Sequence, residues 1–452
     1  MISSRARSFL YGTDGALGVY GFILFLTICI VSGLSLDVAN AYKVRSIIQV
    51  AADNAGHTAL VTRLDAGKEQ AIQNAVAVAS ENLGSNEVGD VVAAEDIEFG
   101  TWDPATRVFT PDPDSISAVK VVAHRDRSRG NGVTTFLLSA AGLAAWDVAT
   151  VSVYETYRPS CLREGFVGDK QVDIQSNNGF ENGFCMHSNA SISINNNNYF
   201  EAGTIVSMPN VDDLDVSASG FVRNEGLLEA LRESFYNIRV IKRIEDIIAA
   251  LQTGDLTTLK QLAAGGPENA FSYITNSTPI DVASCDLDAA DLTVGRIHRI
   301  ECGGTLKITG TITQVALVTS APIQFEKEGQ FEDVIIATTN TGDMSLKGPA
   351  GSGGKKGSGL DNISFGKNDD CAVGGGVQLV TMGGVHMAAG LNMFGSQILA
   401  VKEIEFTANA DGIQGVSMIS ADTVSGTSNM QMGFCGAGME NNFEVDYYRL
   451  AY

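Results

Sequence analysis

Basic side chains are scarce in this chain of 452 residues, in which 30 Lys and Arg stand against 52 Asp and Glu for a net charge of −22. Only 18% of the residues are charged, against about 25% in an average soluble protein, so the acidity comes from missing basic residues and not from acidic tracts. Nucleic-acid binding needs clustered Lys and Arg to displace counterions from phosphates. The composition therefore excludes a binder of phosphate backbones, and it argues against attachment to anionic lipid by charge alone.

The sequence also lacks the motifs of metal centres and of common enzymes. There is no Cys-x-x-Cys pair, and the five histidines are scattered along the chain, which argues against a zinc site. No G-x-S-x-G, H-E-x-x-H or P-loop motif occurs. We therefore predict no catalytic residue, no cofactor and no enzymatic activity.

Charge is entirely missing from residues 15–36, between Asp14 and Asp37. As a helix this stretch is about 33 Å long, enough to cross the hydrocarbon core of a bilayer. The sequence after it can continue as helix without a break, which favours a retained anchor over a cleaved secretory signal. We predict a cytoplasmic tail over 1–14, a transmembrane helix over 15–36, and the bulk of the chain outside the cytoplasm.

Six of the seven cysteines lie in the part predicted to be exported. An even number of cysteines in such a region indicates up to three disulfides, although buried free thiols remain an alternative. We predict pairing between sequence neighbours: Cys161 with Cys185, Cys285 with Cys302, and Cys371 with Cys435.

Residues 37–158 alternate between helical and strand patterns. The membrane helix is predicted to continue past residue 50, and Lys68–Leu83 forms a second helical stretch. Alternating apolar and polar residues then predict strands near 95–110, 118–123 and 149–154, with a short apolar helix over 134–145. These elements predict a small α+β module next to the membrane.

Three short motifs resemble a known family. They are Asp14-Gly15-Ala16-Leu17-Gly18-Val19, then Leu36-Asp37-Val38-Ala39-Asn40-Ala41-Tyr42, and Gln49-Val50-Ala51-Ala52-Asp53-Asn54-Ala55. The pattern is similar to the TadG-like family of tight-adherence (Flp-type) pilus systems over about residues 10–155, most strongly over 14–60. The resemblance implies a pilus-assembly role at the bacterial inner membrane, with pilins or assembly proteins as partners.

The sequence departs from the family's pilins at one point. The resemblance implies that those pilins are cut after a Gly and carry a Glu five residues later. In this frame the cut would follow Gly15, and Tyr20 occupies the Glu position. Without that Glu the physical reason for pilin-like polymerisation is missing. We therefore expect an uncleaved accessory protein in place of a fibre subunit.

Residues 159–452 contain short apolar alternations punctuated by Asn and Gly, and they carry −17 of the net charge because they hold 18 basic and 35 acidic residues. Such stretches predict an all-β head, and a parallel β-helix is favoured over a β-sandwich because Asn at turns can form ladders. The whole chain is thus predicted as a transmembrane helix, an α+β module and an all-β head.

One amphipathic helix is predicted inside the head, over residues 224–251. Its apolar residues recur at helical spacing: Leu227, Leu231, Phe235, Ile238, Ile241, Ile244, Ile248 and Leu251. The stretch fits either a coiled-coil-like seam for a partner or, more commonly, a helix that lies on the β-domain.

Asp215, Ser217 and Ser219 form a D-x-S-x-S pattern, the spacing at which integrin-type A domains bind a divalent cation. That chemistry needs a buried hydrophobic strand before the motif, whereas a polar, proline-led stretch precedes it here. We interpret the stretch as a structured loop and keep the three residues as weak metal candidates.

Together these features predict a structural accessory protein of an Flp-type pilus system, anchored in the inner membrane by one helix and facing the periplasm. Two alternatives stay open. The head could be a β-helical enzyme or binding module for cell-envelope polysaccharide, or the protein could be an adhesin at the cell surface or pilus tip.

Overall fold

The computed structural model describes residues 14–83, 88–217, 219–349 and 363–452. The chain divides into two compact units, of which the first comprises Met1–Tyr157 with Asp446–Tyr452 and the second Arg158–Val445. The second unit is therefore inserted between two segments of the first. The predicted tail 1–14 lies outside the described residues except for Asp14.

A single long helix, α1 (Asp14–Ala66), contains the predicted membrane segment. Of the described side chains over 18–32, all but Cys29 are exposed. Within the described part of the chain, the Gly18–Arg63 portion is the one helix long and apolar enough to cross a membrane. The prediction of an apolar N-terminal helix is confirmed, and its exposed apolar surface is what a lipid-facing segment requires.

The rest of the first unit packs helices on an antiparallel sheet. Its elements are α2 (Lys68–Leu83), β1 (Ile97–Asp103), β2 (Val108–Pro111), β3 (Ala118–Arg125), β4 (Val133–Thr134), β5 (Ala145–Trp146), β6 (Val148–Tyr157) and the C-terminal strand Tyr447–Leu450. The sheet runs β2-β1-β3-β6 and ends with the C-terminal strand, while β4 pairs with β5 alone.

Small residues decide how the helices meet this sheet. Ala52 and Ala55 of α1 and Ala75 of α2 are fully buried in one apolar cluster with Val119 and Val121 of β3. Alanine allows close helix approach without losing side-chain entropy, and β-branched valine suits the sheet face. The result is the core of an α+β unit.

The second unit is mostly β. Its first strands are β7 (Gly165–Gly168), β8 (Gln171–Ile174), β9 (Gly179–Phe180), β10 (Cys185–Ser188), β11 (Ser191–Ile194), β12 (Tyr199–Phe200), β13 (Ile205–Met208), β14 (Leu214–Val216) and β15 (Leu231–Glu233). Its helices are α3 (Ser160–Arg163), α4 (Gly220–Arg223), α5 (Leu227–Ala230), α6 (Ile244–Thr253), α7 (Leu256–Gln261) and α8 (Gly266–Asn269).

The remaining strands follow the helices. They are β16 (Asn276–Val282), β17 (Asp286–Leu287), β18 (Arg296–Ile300), β19 (Leu306–Ile308), β20 (Thr311–Thr319), β21 (Ile323–Phe325), β22 (Gln330–Thr338), β23 (Leu346–Lys347), β24 (Ile363–Phe365), β25 (Val377–Thr381), β26 (Val385–Phe394), β27 (Gln397–Ala400), β28 (Ile404–Gln414), β29 (Ser417–Ser420), β30 (Thr423–Gly426) and β31 (Gln431–Gly433). Together with β7–β15 they form one parallel sheet, which does not close on itself within the described residues.

Strands about 20 residues apart pair in parallel. Cys185 of β10 is opposite Gly165 of β7 on one side and Ile205 of β13 on the other. We call each run of about 20 residues whose strands pair in parallel with the strands of another such run a coil. The last coil, β29–β31, pairs with the first, β7–β9. The first strands, β7–β9, therefore lie inside the sheet, between β10–β12 on one side and β29–β31 on the other.

The core of the second unit consists of stacked apolar side chains. Phe325, Phe331 and Phe365 are fully buried. Phe331 of β22 pairs in register with Phe365 of β24, and the centroids of these two rings lie 5.1 Å apart. Parallel pairing in register places similar residues above one another, so an alternating pattern repeated every coil becomes a continuous column. The prediction of a mostly β head is confirmed at this level, with parallel strands.

Asparagine side chains form a buried ladder at one turn. The backbone N–H of Asn178 donates to Asn198 Oδ1 (2.9 Å), and the N–H of Asn198 donates to Asn224 Oδ1 (2.8 Å). The N–H of Met430 donates in turn to Asn178 Oδ1 (2.9 Å). The ladder therefore joins the last coil to the first three, as the asparagine-rich turns predict.

The predicted helix over 224–251 is interrupted in the structure. Only its last part is helical at length, in α6, whereas Leu231–Glu233 forms β15 and adds to the sheet beside Met208 of β13. The open edge of β13 offers backbone partners to this short segment, and pairing with that edge overrides the apolar spacing.

Candidate functional site

Asp37, the first charged residue after the apolar segment, joins α1 to a distant loop. Its side chain is 2% exposed. Its Oδ1 accepts the backbone N–H of Phe136 (2.6 Å), and its Oδ2 accepts those of Leu137 (3.3 Å) and Leu138 (3.0 Å). These N–H groups begin the 3₁₀ turn Leu138–Ala141, so the carboxylate caps the turn.

The same loop packs closely on the apolar segment itself. Gly33, one turn before Asp37, is buried, and a Cβ atom placed there would lie 2.7 Å from Cβ of Leu137. Only glycine allows this approach. The helix and the loop are thus held together at Gly33 and at Asp37.

Further contacts continue along α1. The amide of Gln49 donates to Asp53 Oδ1 (2.8 Å) and to the carbonyl oxygen of Val151 (3.2 Å), and its oxygen accepts the hydroxyl of Thr150. The third family-like motif therefore supplies the side chain that binds α1 to β6, whereas the second motif supplies Asp37, which binds the loop at 136–138.

A groove of about 490 Å³ lies beside this junction, and its lining includes Tyr42, Arg45 and Trp146. At its edge the guanidinium of Arg127 binds Asp147, with Nη2 to Oδ2 at 2.6 Å. The hydrogen bonds from Arg127 lower the pKa of the Asp147 carboxyl to about 2. Asp147 is therefore ionised at neutral pH and balances Arg127.

The second unit contains a polar cavity of about 780 Å³. The residues that line it come from five separate parts of the chain: Gly265, Glu268, Asn269, Ser272, Tyr273, Gln314, Asp333, Val373, Gly374, Gly438, Glu440 and Asn441. The hydroxyl of Tyr273 and Oε2 of Glu440 are buried, and neither has a hydrogen-bond partner among the described residues. Such groups favour a ligand with hydroxyl or amide groups.

Two adjacent coils carry strained residues at this cavity. Gln314 and Asp333 have φ of 55° and 54°, whereas Gly295, whose N–H donates to the carbonyl oxygen of Gln314 (2.7 Å), occupies the neighbouring coil. Glycine adopts this left-handed conformation without strain, and other residues pay about 1 kcal/mol. Despite this strain, the backbone conformation at Gln314 and Asp333 places two polar side chains in the cavity wall.

Burial controls the acidity of these groups. It raises the pKa of Asp333, although the N–H of Gly375 donates to its Oδ1 (2.7 Å) and opposes the shift. Burial and the charge of Asp333 together raise the pKa of Glu440 and of the Tyr273 hydroxyl. The cavity therefore holds carboxyl groups that bind a proton more readily than usual.

The structure forms all three predicted disulfides, namely Cys161–Cys185, Cys285–Cys302 and Cys371–Cys435. The first two pairs are 24 and 17 residues apart, close to the spacing of neighbouring coils. Parallel pairing at about this spacing brings the cysteines of the first two pairs together, whereas Cys371 and Cys435 are 64 residues apart.

The candidate metal ligands predicted from the sequence do not form a metal site among the described residues. Asp215, Ser217 and Ser219 are exposed, and the Ser217 hydroxyl donates to Asn196 Oδ1 (2.8 Å). No group of three His, Cys, Asp or Glu residues suited to a metal ion is found in the described ranges.

The eight apolar residues of the predicted interaction helix do not form a seam. Leu227, Ile238, Ile244, Ile248 and Leu251 are buried. Leu231 and Ile241 are half-buried, and Phe235 is 67% exposed. Helix α6 lies on strands of the parallel sheet, as in the interpretation of a helix on the β-domain.

Sequence reasoning assigned no role to Asp37 or to the cavity residues. The position of Asp37 at the end of the apolar segment was a usable signal. No signal linked Tyr273, Asp333 and Glu440, because residues so far apart in sequence meet only through the winding of the sheet.

Comparison with known proteins gives two family matches. The Tad-like Flp pilus-assembly family (Tad_C) matches residues 52–153, from the second half of α1 to β6. This match supports a Tad-related module and a role related to Flp pilus assembly. No curated protein and no solved structure matches the chain. The domain of unknown function DUF7867 matches residues 165–436, more than half of the sequence and most of the parallel sheet, and the chain therefore belongs to the DUF7867 family.

Proposed function

We propose that this protein is a membrane-anchored accessory component of an Flp-type pilus assembly system, and that it acts by binding other proteins of that system. The observation that carries the proposal is the continuity of α1. The Tad-like match begins at residue 52, inside the same helix that contains the apolar segment. The pilus-related module and the anchor are thus one covalent and structural element.

Two further features support this proposal. Three disulfides favour an oxidising compartment for the second unit, which is the periplasm or the cell surface. The TadG-like motifs and the absence of Glu before Glu69 support an uncleaved accessory protein over a fibre subunit.

We further propose that the parallel sheet of the second unit winds as a β-helix. The spacing of about 20 residues between paired strands and the ladder of Asn178, Asn198 and Asn224 support this assignment. A rod of stacked coils presents long side surfaces, which suits a protein that binds several partners.

Cell fractionation tests the main proposal. Inner membranes, outer membranes and sheared pili are separated and probed for the protein, and the purified chain is weighed by mass spectrometry. We expect the full-length mass in the inner membrane. Recovery in the sheared pili, or a mass that starts at Ala16 or after residue 35, would contradict the proposal.

The polar cavity favours a second candidate function, the binding of envelope polysaccharide. The unpaired hydroxyl of Tyr273 and the protonatable carboxyls of Asp333 and Glu440 match the hydroxyl and amide groups of a glycan. Oligosaccharides released from the envelope serve as the probe in calorimetry. We expect Tyr273→Phe, which removes a buried hydroxyl, and Asp333→Asn, which replaces one carboxyl oxygen by an NH₂ group that cannot accept, each to weaken binding about tenfold.

The matched control is Asp286→Asn, because Asp286 is an exposed carboxylate outside the cavity. Equal binding by all four proteins, or no binding by the wild type, would rule out this second function.

A further inference from the structure

An uncharged hairpin lies beside the exit of α1 from its apolar segment. We call residues 130–146 the exit hairpin, because β4 and β5 pair within it. It contains no charged residue between Arg129 and Asp147. Phe136, Leu137 and Leu143 at its tip are 59%, 52% and 50% exposed. Three large exposed apolar side chains on one hairpin are unusual for a surface that meets only water.

The position of the tip along α1 is set by two contacts. Leu137 packs on Gly33, which lies inside the uncharged segment 15–36, and Asp37 binds the N–H groups at the tip. The uncharged segment is about 33 Å long and a hydrocarbon core about 30 Å thick. If the segment fills the core, Gly33 and the tip reach the boundary between acyl chains and headgroups.

Amphipathic side chains stand next to this boundary. Tyr42, Arg45 and Trp146 line the groove beside the hairpin. Tyrosine and tryptophan are enriched where hydrocarbon meets headgroups, and arginine prefers the headgroup layer. The apolar tip, the aromatic rings and the cation thus follow one another in the same order as the acyl chains, the interface and the headgroups of a bilayer leaflet.

We propose that the tip of the exit hairpin inserts into the outer leaflet of the bilayer that α1 spans, so that the first unit holds the membrane at two points. This inference rests on the proposed membrane anchor. Apolar insertion needs no excess of basic residues, so it agrees with the acidic composition. Insertion of the tip beside α1 would fix the tilt of the first unit relative to the membrane.

Fluorescence quenching by lipid tests the inference. The full chain with Cys29→Ser is labelled with an environment-sensitive dye at one introduced cysteine and reconstituted into phosphatidylcholine vesicles with spin-labelled acyl chains. Phe136→Cys reports on the tip, and Phe25→Cys reports on the apolar segment. Ile116→Cys is the matched control, because Ile116 is 49% exposed and lies two residues from Asp114, whose carbonyl oxygen binds Arg63 at the far end of α1.

We expect about twofold or greater quenching at positions 25 and 136, and none at 116, which lies about 40 Å from the segment along the helix. All three positions are exposed, so the fold should tolerate the labels, and tryptophan emission checks this. Quenching at 25 without quenching at 136 would overturn the inference and leave the hairpin to a protein partner. Absence of quenching at 25 would overturn the anchor and the inference together, and quenching at 116 equal to that at 136 would show that the tip has no special contact with lipid.

Discussion

Replacing Asp37 with Ala should lower the free energy of unfolding of the first unit by about 3 kcal/mol. The substitution leaves the N–H groups of Phe136, Leu137 and Leu138 without the carboxylate that binds them. Hydrogen bonds to a charged group contribute about 1.5–3 kcal/mol each, and their contributions overlap when one side chain makes several. The loss also removes the cap of the 3₁₀ turn.

Tryptophan emission during urea titration of the full chain in detergent measures this effect. The two tryptophans of the sequence, Trp102 and Trp146, both belong to the first unit, so the signal reports on that unit alone. Asp37→Asn retains an acceptor oxygen and should lose less than half as much. Asp90→Ala removes an exposed carboxylate and should change stability by less than about 0.5 kcal/mol. A similar loss for Asp37→Ala and Asp90→Ala would mean that the carboxylate does not hold the hairpin.

Replacing Asn198 with Ala should destabilise the second unit by about 3 kcal/mol. Asn198 is 2% exposed. Its Oδ1 is the acceptor for the N–H of Asn178, and its Nδ2 donates to the carbonyl oxygen of Asn195 (2.8 Å). Alanine removes the partner of the buried N–H of Asn178 and of the part-buried carbonyl oxygen of Asn195, and a buried group left unpaired costs about 1–3 kcal/mol.

Hydrogen exchange followed by mass spectrometry measures this change coil by coil. An opening cost lower by about 3 kcal/mol corresponds to roughly hundredfold faster exchange, and we expect it over β8–β12. Asn195→Ala is the matched control. The Asn195 side chain is exposed and makes one hydrogen bond, to Gln175 Oε1 (2.6 Å), so it should alter exchange only slightly. Equal exchange in the two variants would show that the buried ladder does not stabilise the stack.

Several features of the structure can be predicted from short stretches of sequence, because the interactions that cause them are local. An uncharged stretch over 15–36 has few alternatives to a long apolar helix. Cysteines about one coil apart meet whenever the chain returns after each coil, which is why neighbour pairing of Cys161 with Cys185 is confirmed. Asparagine repeated at successive turns predicts a ladder for the same reason.

The stretch 224–251 shows where local pattern fails. Its apolar spacing satisfies a helix, but strand β13 leaves an unpaired edge, and Leu231–Glu233 pairs with it. A sequence window contains no information about which edge is open, because the partner strand lies more than 20 residues away. The hydrogen bonds that the edge provides outweigh helix propensity in that short segment.

The sequence by itself determined the acidic, lightly charged composition, the membrane-length helix and the mostly β character of the second unit, since each depends on composition or on local pattern. It also predicted the disulfide pairs, of which Cys161–Cys185 and Cys285–Cys302 join residues 24 and 17 apart and Cys371–Cys435 joins residues 64 apart. Only the tertiary structure decided that Asp37 caps a loop 100 residues later, that residues 446–452 complete the first sheet, and that the last coil pairs with the first. It also decided that Tyr273, Asp333 and Glu440 line one cavity. These contacts join segments whose separation along the chain leaves no periodic trace, because the free energy that selects them comes from burial and pairing in the folded chain.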